Sequence, residues 1–429
     1  MLTSIRNNLE KAATSQEQIK YINFFFLGIL GYSFGSGMMD TQIIHPVICN
    51  LIQLIGIGMI FISFIFLIDF SIENLYLKII YYSYLFYLAS IVLRGFAFDY
   101  NYIKSALFSQ YFGVLLYAVP LVMLIPINFE FLKRLRTAIQ LFAVLHLFFL
   151  VLNVTSIINV SHYSLIITES LSRTFGITAG FLLLTFPFHS KKTIALALTS
   201  MISILLLAVY QGRRGLSIFC FMILAFAAII YLTKGKNIAI VLVISSMAFA
   251  SLMFFGMEKL TNNGLFSTLK SRGLADTRSN VEANFYEDMQ PIDWIIGRGI
   301  NGEYYCPGII WGDGEPSVYR SIIETDYLQI ILKGGIISLG LLLLILIPAG
   351  LIGILRSRNL FSMAAGLWIL IGVINMYPSP INTFTFNYLL IWICVRICFS
   401  PRIRNLSNKE IMILLKTHNI KLSSQSKSL

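Results

Sequence analysis

The sequence is a succession of apolar runs, each about the length of a bilayer-crossing helix, broken by one long polar stretch. The runs fall at roughly 21–39, 46–69, 76–94, 106–127, 134–152, 163–188, 193–210, 216–232, 237–256, 327–355, 359–377 and 381–399. A hydrocarbon core takes about 20 apolar residues per helix, so these twelve runs predict twelve spans. Composition agrees: 57% of residues are hydrophobic and only 12% are charged, where soluble domains carry about a quarter. The expected fold class is an all-α polytopic integral membrane protein. The polar stretch 257–326 is its one large loop, set between spans one to nine (21–256) and spans ten to twelve (327–399). Residues 1–20 are a polar N-terminal segment and 400–429 a basic tail.

The net charge of +12 points, in a membrane protein, to cations anchoring cytoplasmic loops rather than to nucleic acid. With the N-terminus in the cytoplasm, the inside loops hold Lys133, Arg134 and Arg136, then Lys191 and Lys192, Lys234 and Lys236, and Arg356 and Arg358. The tail adds Arg402, Arg404, Lys409 and Lys416. The short turns at 40–45 and 378–381 on the other side hold no Lys or Arg. This alternation predicts both termini in the cytoplasm and the large loop outside. Asn408–Lys416 reads either as a basic amphipathic helix on the inner leaflet or as a solvated tail. The polar first twenty residues predict no cleavable signal peptide. Cys49, Cys220, Cys306, Cys394 and Cys398 lack metal-ligand spacing, so neither a metal site nor a disulfide framework is expected.

The arginines need a reason of their own. This topology turns Arg94, Arg173, Arg213, Arg214, Arg272, Arg278, Arg298 and Arg320 outward, where the positive-inside bias predicts few cations. A guanidinium grips phosphate through a planar, permanently charged fork. An outward cluster therefore suits an anionic lipid head group such as a pyrophosphate. Arg213 and Arg214 end the seventh span in Tyr210-Gln211-Gly212-Arg213-Arg214-Gly215; a hairpin with snorkelling arginines is the plainer alternative. Arg173, in Ser172-Arg173-Thr174-Phe175-Gly176, and Arg94 also fit interfacial anchors.

Within the loop, a helix starting near Thr268 would put Arg278, Glu282 and Tyr286 on one face, with a surface salt bridge as the bland alternative. Pro291 to Gly299 reads as a strand or turn against the membrane, its Trp294, like Trp311, at the interface or stacked on sugar rings. Thr325 or Asp326 is a natural N-cap for the tenth span. Glu324, just before the cap, faces the loop cavity either as a base toward a hydroxyl or as a partner that orients an arginine.

Three segments together resemble the O-antigen polymerase and O-antigen ligase superfamily of bacterial envelope glycan enzymes. Gln211-Gly212-Arg213-Arg214-Gly215 is similar to its small-residue–Arg–Gly turn at an outer span end. Ile295-Ile296-Gly297-Arg298-Gly299-Ile300-Asn301-Gly302 is similar to its hydrophobic-Gly-x-Gly segment in the large loop. Glu324-Thr325-Asp326-Tyr327-Leu328, followed by Lys333-Gly334-Gly335-Ile336-Ile337, resembles the motif that opens the span after the loop. The likeness covers the second half of the chain; the first half matches in hydropathy and loosely around Arg173.

The resemblance implies about twelve transmembrane helices with one large periplasmic loop, in the bacterial inner membrane. It implies action on undecaprenyl-pyrophosphate-linked oligosaccharide without metal or cofactor, with a chain-length regulator protein as a further partner. Ligases of the family carry a histidine where this chain has Glu324, which favours the polymerase branch. On that expectation Arg214 and Arg278 hold the leaving pyrophosphate and Glu324 is the base or acceptor-orienting group. Arg213, Arg173, Arg272, Arg298, Arg320, Asp326 and Tyr327 are then substrate contacts. A flippase of lipid-linked oligosaccharide, a ligase and a non-catalytic scaffold are the competing readings.

Overall fold

The computed structural model describes residues 16–42, 44–111, 113–158, 162–233, 279–307 and 318–416. Among them, seven helices are long and apolar enough to cross a membrane. The chain opens with α1 (Gln16–Asp40), α2 (Pro46–Leu67) and α3 (Leu75–Leu93). On α2, Phe61 and Ile65 are more than 60% exposed while Gln53 and Ser63 are fully buried. Apolar groups outside and polar groups inside are the arrangement lipid demands, where each polar group needs a partner within the protein. α1 and α2 touch backbone to backbone: a Cβ on Gly28 would stand 2.7 Å from the carbonyl of Gly56.

The fourth apolar run is not one helix. It begins in α4 (Tyr100–Phe108) and resumes as a 3₁₀ segment, Val114–Leu124, around Pro120. Proline removes an N–H donor and cannot sit inside a regular α-helix without breaking its ladder. α5 (Phe129–Leu152) spans, and α6 (Val154–Ile158) follows it. The sixth run is also divided, into α7 (His162–Leu171), a π turn (Ser172–Gly176), α8 (Ala179–Leu184) and a 3₁₀ turn (Phe186–Phe188). α9 (Lys191–Tyr210) and α10 (Arg214–Thr233) are full-length. The ninth expected span, 237–256, lies outside the described residues, as do Arg272, Arg278 and Trp311.

The described part of the large loop holds α11 (Ser279–Asp288), α12 (Pro291–Ile296) and a two-stranded antiparallel ribbon, β1 (Tyr304–Tyr305) with β2 (Tyr319–Arg320), Tyr304 opposite Arg320. Pro291–Ile296, expected as a strand or turn, is helical: Pro291 takes the first position, and Gln290 and Asp293 form a capping box. α13 (Asp326–Leu355) leads back into the bundle, followed by α14 (Leu360–Asn375), α15 (Phe386–Phe399), α16 (Pro401–Arg404) and α17 (Asn408–Lys416). α14 and α15 are short apolar helices of 16 and 14 residues. Their Trp368 and Trp392 are buried, and Tyr84 of α3 stacks on Trp392 at 5.8 Å.

α13 is jointed. Gly335 lies at φ 64°, ψ −175°, outside helical space, in a region open essentially to glycine alone. The joint exists because the loop enters it: Arg298 N donates to Leu332 O at 2.8 Å and Gly299 N to Lys333 O at 2.9 Å. These amides satisfy carbonyls that the break would strand. From Ile336 to Leu355 the lower part still reaches roughly 30 Å, enough to cross a bilayer.

Candidate functional site

The loop is fixed to the bundle by backbone carbonyls. Arg94, at the end of α3, donates to Ile296 O at 2.7 Å and Gly297 O at 3.0 Å. Tyr87 adds a bond to Ile296 O, and Ile300 N returns one to Ile91 O. Arg94 is thus a clasp for the loop. Arg298 closes the loop on itself. Its Nε reaches Asp293 at 2.8 Å, its Nη1 reaches Asp288 at 2.5 Å and the Glu303 carbonyl at 2.6 Å, and its Nη2 takes the Asp288 carbonyl at 2.6 Å. These bonds to Asp288 and Asp293 hold the guanidinium above the ordinary arginine range against the opposing effect of burial. Its donors are spent inside the loop.

Two other sequence-predicted arginines meet at one carboxylate. Glu169, on α7, pairs with Arg173 of the π turn at 2.8 Å and with Arg213, ahead of α10, at 3.0 Å. Next to Glu169, Ser170 donates to Asp40 at the end of α1. Arg214 is exposed and opens α10. The glycine after it packs against the turn between α14 and α15: a Cβ on Gly215 would lie 2.5 Å from Pro378 O.

That turn is gripped twice more. Arg173 Nη1 donates to Pro380 O at 3.2 Å. Asp326, fully buried, accepts from Ile381 N at 3.0 Å and Asn382 N at 3.1 Å through one oxygen, while its other oxygen has no hydrogen-bond partner. Asp326 therefore binds a distant turn instead of capping α13. Thr325 takes the cap position, and its hydroxyl goes to Glu282 of α11 at 2.5 Å. Buried polar atoms without partners occur on the residues named here and on their chain neighbours: Ser379 Oγ in the turn, Ser172 Oγ next to Arg173, Arg213 Nε and Asp326 Oδ1. Buried polar groups are normally satisfied, so these atoms are available to water or a ligand.

Beside the turn lies a cavity of about 400 Å³ between α3, α4, the 3₁₀ segment, the loop at 300–303 and the upper part of α13. Its walls include Tyr84, Tyr102, Tyr111, Tyr117 and Tyr388. Asn382, held by Asp326, also lines it. Tyr111 belongs to both places, because its hydroxyl interacts with Ser170 and senses Asp40 and Arg173. The cavity and the arginine pair are therefore neighbours.

Glu324 is exposed and lies, with buried Arg320, in the electrostatic reach of Tyr304. Burial pushes the Tyr304 phenol well up, and Arg320 partly offsets it. Tyr327 stacks on Tyr377 with ring centres 6.3 Å apart. Trp294 stacks on Tyr286 at 5.8 Å within the loop. Sequence reasoning gave no site role to Asp40, Tyr111, Glu169 or the cavity tyrosines, which lie far apart in the chain and converge only in the fold. No known family model, curated protein or solved structure matches the chain.

Proposed function

We propose that the protein is a membrane glycan polymerase, transferring a growing chain from undecaprenyl pyrophosphate onto a lipid-linked repeat unit. One observation carries this reading: the Arg173–Glu169–Arg213 cluster stands next to a cavity walled by tyrosine and amide groups, the two sharing Tyr111 and the turn at 380–382. Guanidinium groups suit a pyrophosphate, and aromatic faces beside amides suit sugar rings. The donor is already activated, so the enzyme has to position two lipid-linked substrates and stabilise the departing diphosphate. Arg214, exposed beside the pair, is the arginine best placed to reach a lipid-borne phosphate, and Arg278 is its expected companion from the loop. This reading carries the twelve-span topology with it, the loop on the periplasmic side of a bacterial inner membrane and both termini in the cytoplasm.

The test is reconstitution. Purified protein in proteoliposomes, given lipid-linked repeats alone, is expected to elongate them, and Arg214→Ala is expected to abolish the long products. Movement of the substrate across the bilayer without elongation would replace the reading with that of a flippase.

A further inference from the structure

From the wall of the tyrosine cavity, we infer that it is a subsite for an acidic sugar, one whose carboxylate pairs with Lys333. The inference deepens the polymerase reading and rests on it for the glycan nature of the ligand. Lys333 lies on α13 just ahead of the joint and is only 9% exposed. Its Nζ donates to Gly302 O at 2.7 Å, and among the described residues no carboxylate pairs with it. Glu303 lines the same cavity and attracts Lys333 without forming an ion pair. An ammonium has three donors, so Lys333 keeps capacity for an anion. Glu303 offsets part of the cost of burying Lys333, yet a buried cation with no ion-pair contact still carries a penalty, and such a residue in a membrane protein marks a ligand position.

The remaining wall defines the ligand. Tyr102 and Tyr117, both half-buried, offer ring surface and hydroxyls, Asn301 and Gln329 add amides with hydrogen-bonding capacity left, and the buried Tyr84 and Tyr388, bonded to each other, complete the wall. That is a surface for a ring bearing several hydroxyl groups. The volume of about 400 Å³ lies within the ~300–1,000 Å³ of small-molecule pockets. A single ammonium suits one carboxylate. A diphosphate is better served by guanidinium forks, and those stand at Arg173 and Arg213, on the other side of Tyr111.

Binding to the full-length protein in detergent tests this without any turnover. The ligands are a defined trisaccharide containing glucuronate, its neutral glucose counterpart, and inorganic pyrophosphate. The acidic trisaccharide is expected to bind about tenfold more tightly than the neutral one, the size of one charge-assisted hydrogen bond. Lys333→Gln is expected to erase that preference and leave neutral binding intact, while Lys333→Arg retains most of it. Should Lys333→Gln fail to fold, the wild-type protein decides alone: its acidic preference has to shrink at high salt. Equal binding of the two trisaccharides, a preference that salt does not touch, or stronger competition by pyrophosphate than by the acidic sugar overturns the inference. Elongation is read separately, so a missing acidic preference leaves polymerisation standing, and missing elongation leaves the preference standing.

Discussion

Arg173 and Asp326 hold the same turn from two different elements. Arg173 Nη1 donates to the carbonyl of Pro380 at 3.2 Å, and Asp326 Oδ2 accepts from the amides of Ile381 and Asn382 at 3.0 and 3.1 Å. The turn places Asn382 in the cavity wall. Asp326→Ala would strand two backbone N–H groups in a buried setting, at roughly 2–4 kcal/mol in all. Asp326→Asn keeps an acceptor for them and is expected to recover about half of that loss. Thermal unfolding of the purified protein in detergent separates the two variants.

The joint in α13 gives a contrast between two glycines of one helix. A side chain at Gly335 would meet the carbonyl of Ile295 and would occupy a positive φ. Gly335→Ala is expected to cost at least about 2–3 kcal/mol. Gly340, five positions on, has nothing within 4 Å of a Cβ. Gly340→Ala is expected to be neutral or to stabilise by about 0.5–1 kcal/mol. The yield of monodisperse protein after extraction reads both.

Arg298→Lys keeps the charge and loses the fork. Lysine cannot reach Asp288, Asp293 and the Glu303 carbonyl together, so the loop is expected to loosen by about 1–3 kcal/mol. Amide hydrogen exchange in α11 and α12 should accelerate while α9 and α10 stay protected. Unchanged exchange in α11 would show that the clasp is dispensable.

His189, at the turn before α9, gives a pH dependence. Burial, with Arg136 nearby, takes its imidazole from the ordinary 6.5 down to about 3. The folded protein therefore keeps the ring neutral where the unfolded chain would protonate it. Its contribution leaves stability unchanged above about pH 6.5 and lowers it as pH drops below that, by up to ~1.4 kcal/mol per pH unit. His189→Gln removes the titration and can still bond Thr185, the present partner at 2.8 Å. Unfolding temperatures should fall less steeply between about pH 7.5 and pH 5 for the variant than for the wild type.

Hydropathy located the spans whose interiors are regular. The runs 46–69 and 193–210 became Pro46–Leu67 and Lys191–Tyr210. It was blind to the breaks, because lipid selects apolar side chains and says nothing of backbone continuity. The run 163–188 read as one span although it contains the π turn Ser172–Gly176, and Gly335 departs from the helix where a loop some forty residues upstream enters. Asp326 sits where a local cap rule applies, yet its partners are more than fifty residues away. Arg298 was legible as a phosphate ligand by residue type, and its use as a clasp depends on Asp288 and Asp293 folding back upon it. The pairing of Arg173 with Arg213 needed Glu169, which the sequence displayed only as an isolated charge inside a span.

The joint at Gly335 also divides the way α13 is held. Above it, loop amides bond the carbonyls of Leu332 and Lys333 while Leu328, Ile331 and Leu332 join Val281 and Phe285 in a small apolar cluster; below it, side chains mesh within the main bundle. A change of bilayer thickness acts on the lower part, by tilt or stretch, and leaves the upper bonding alone. The bonds between the loop and the end of the helix thus lie above the stretch on which membrane thickness acts.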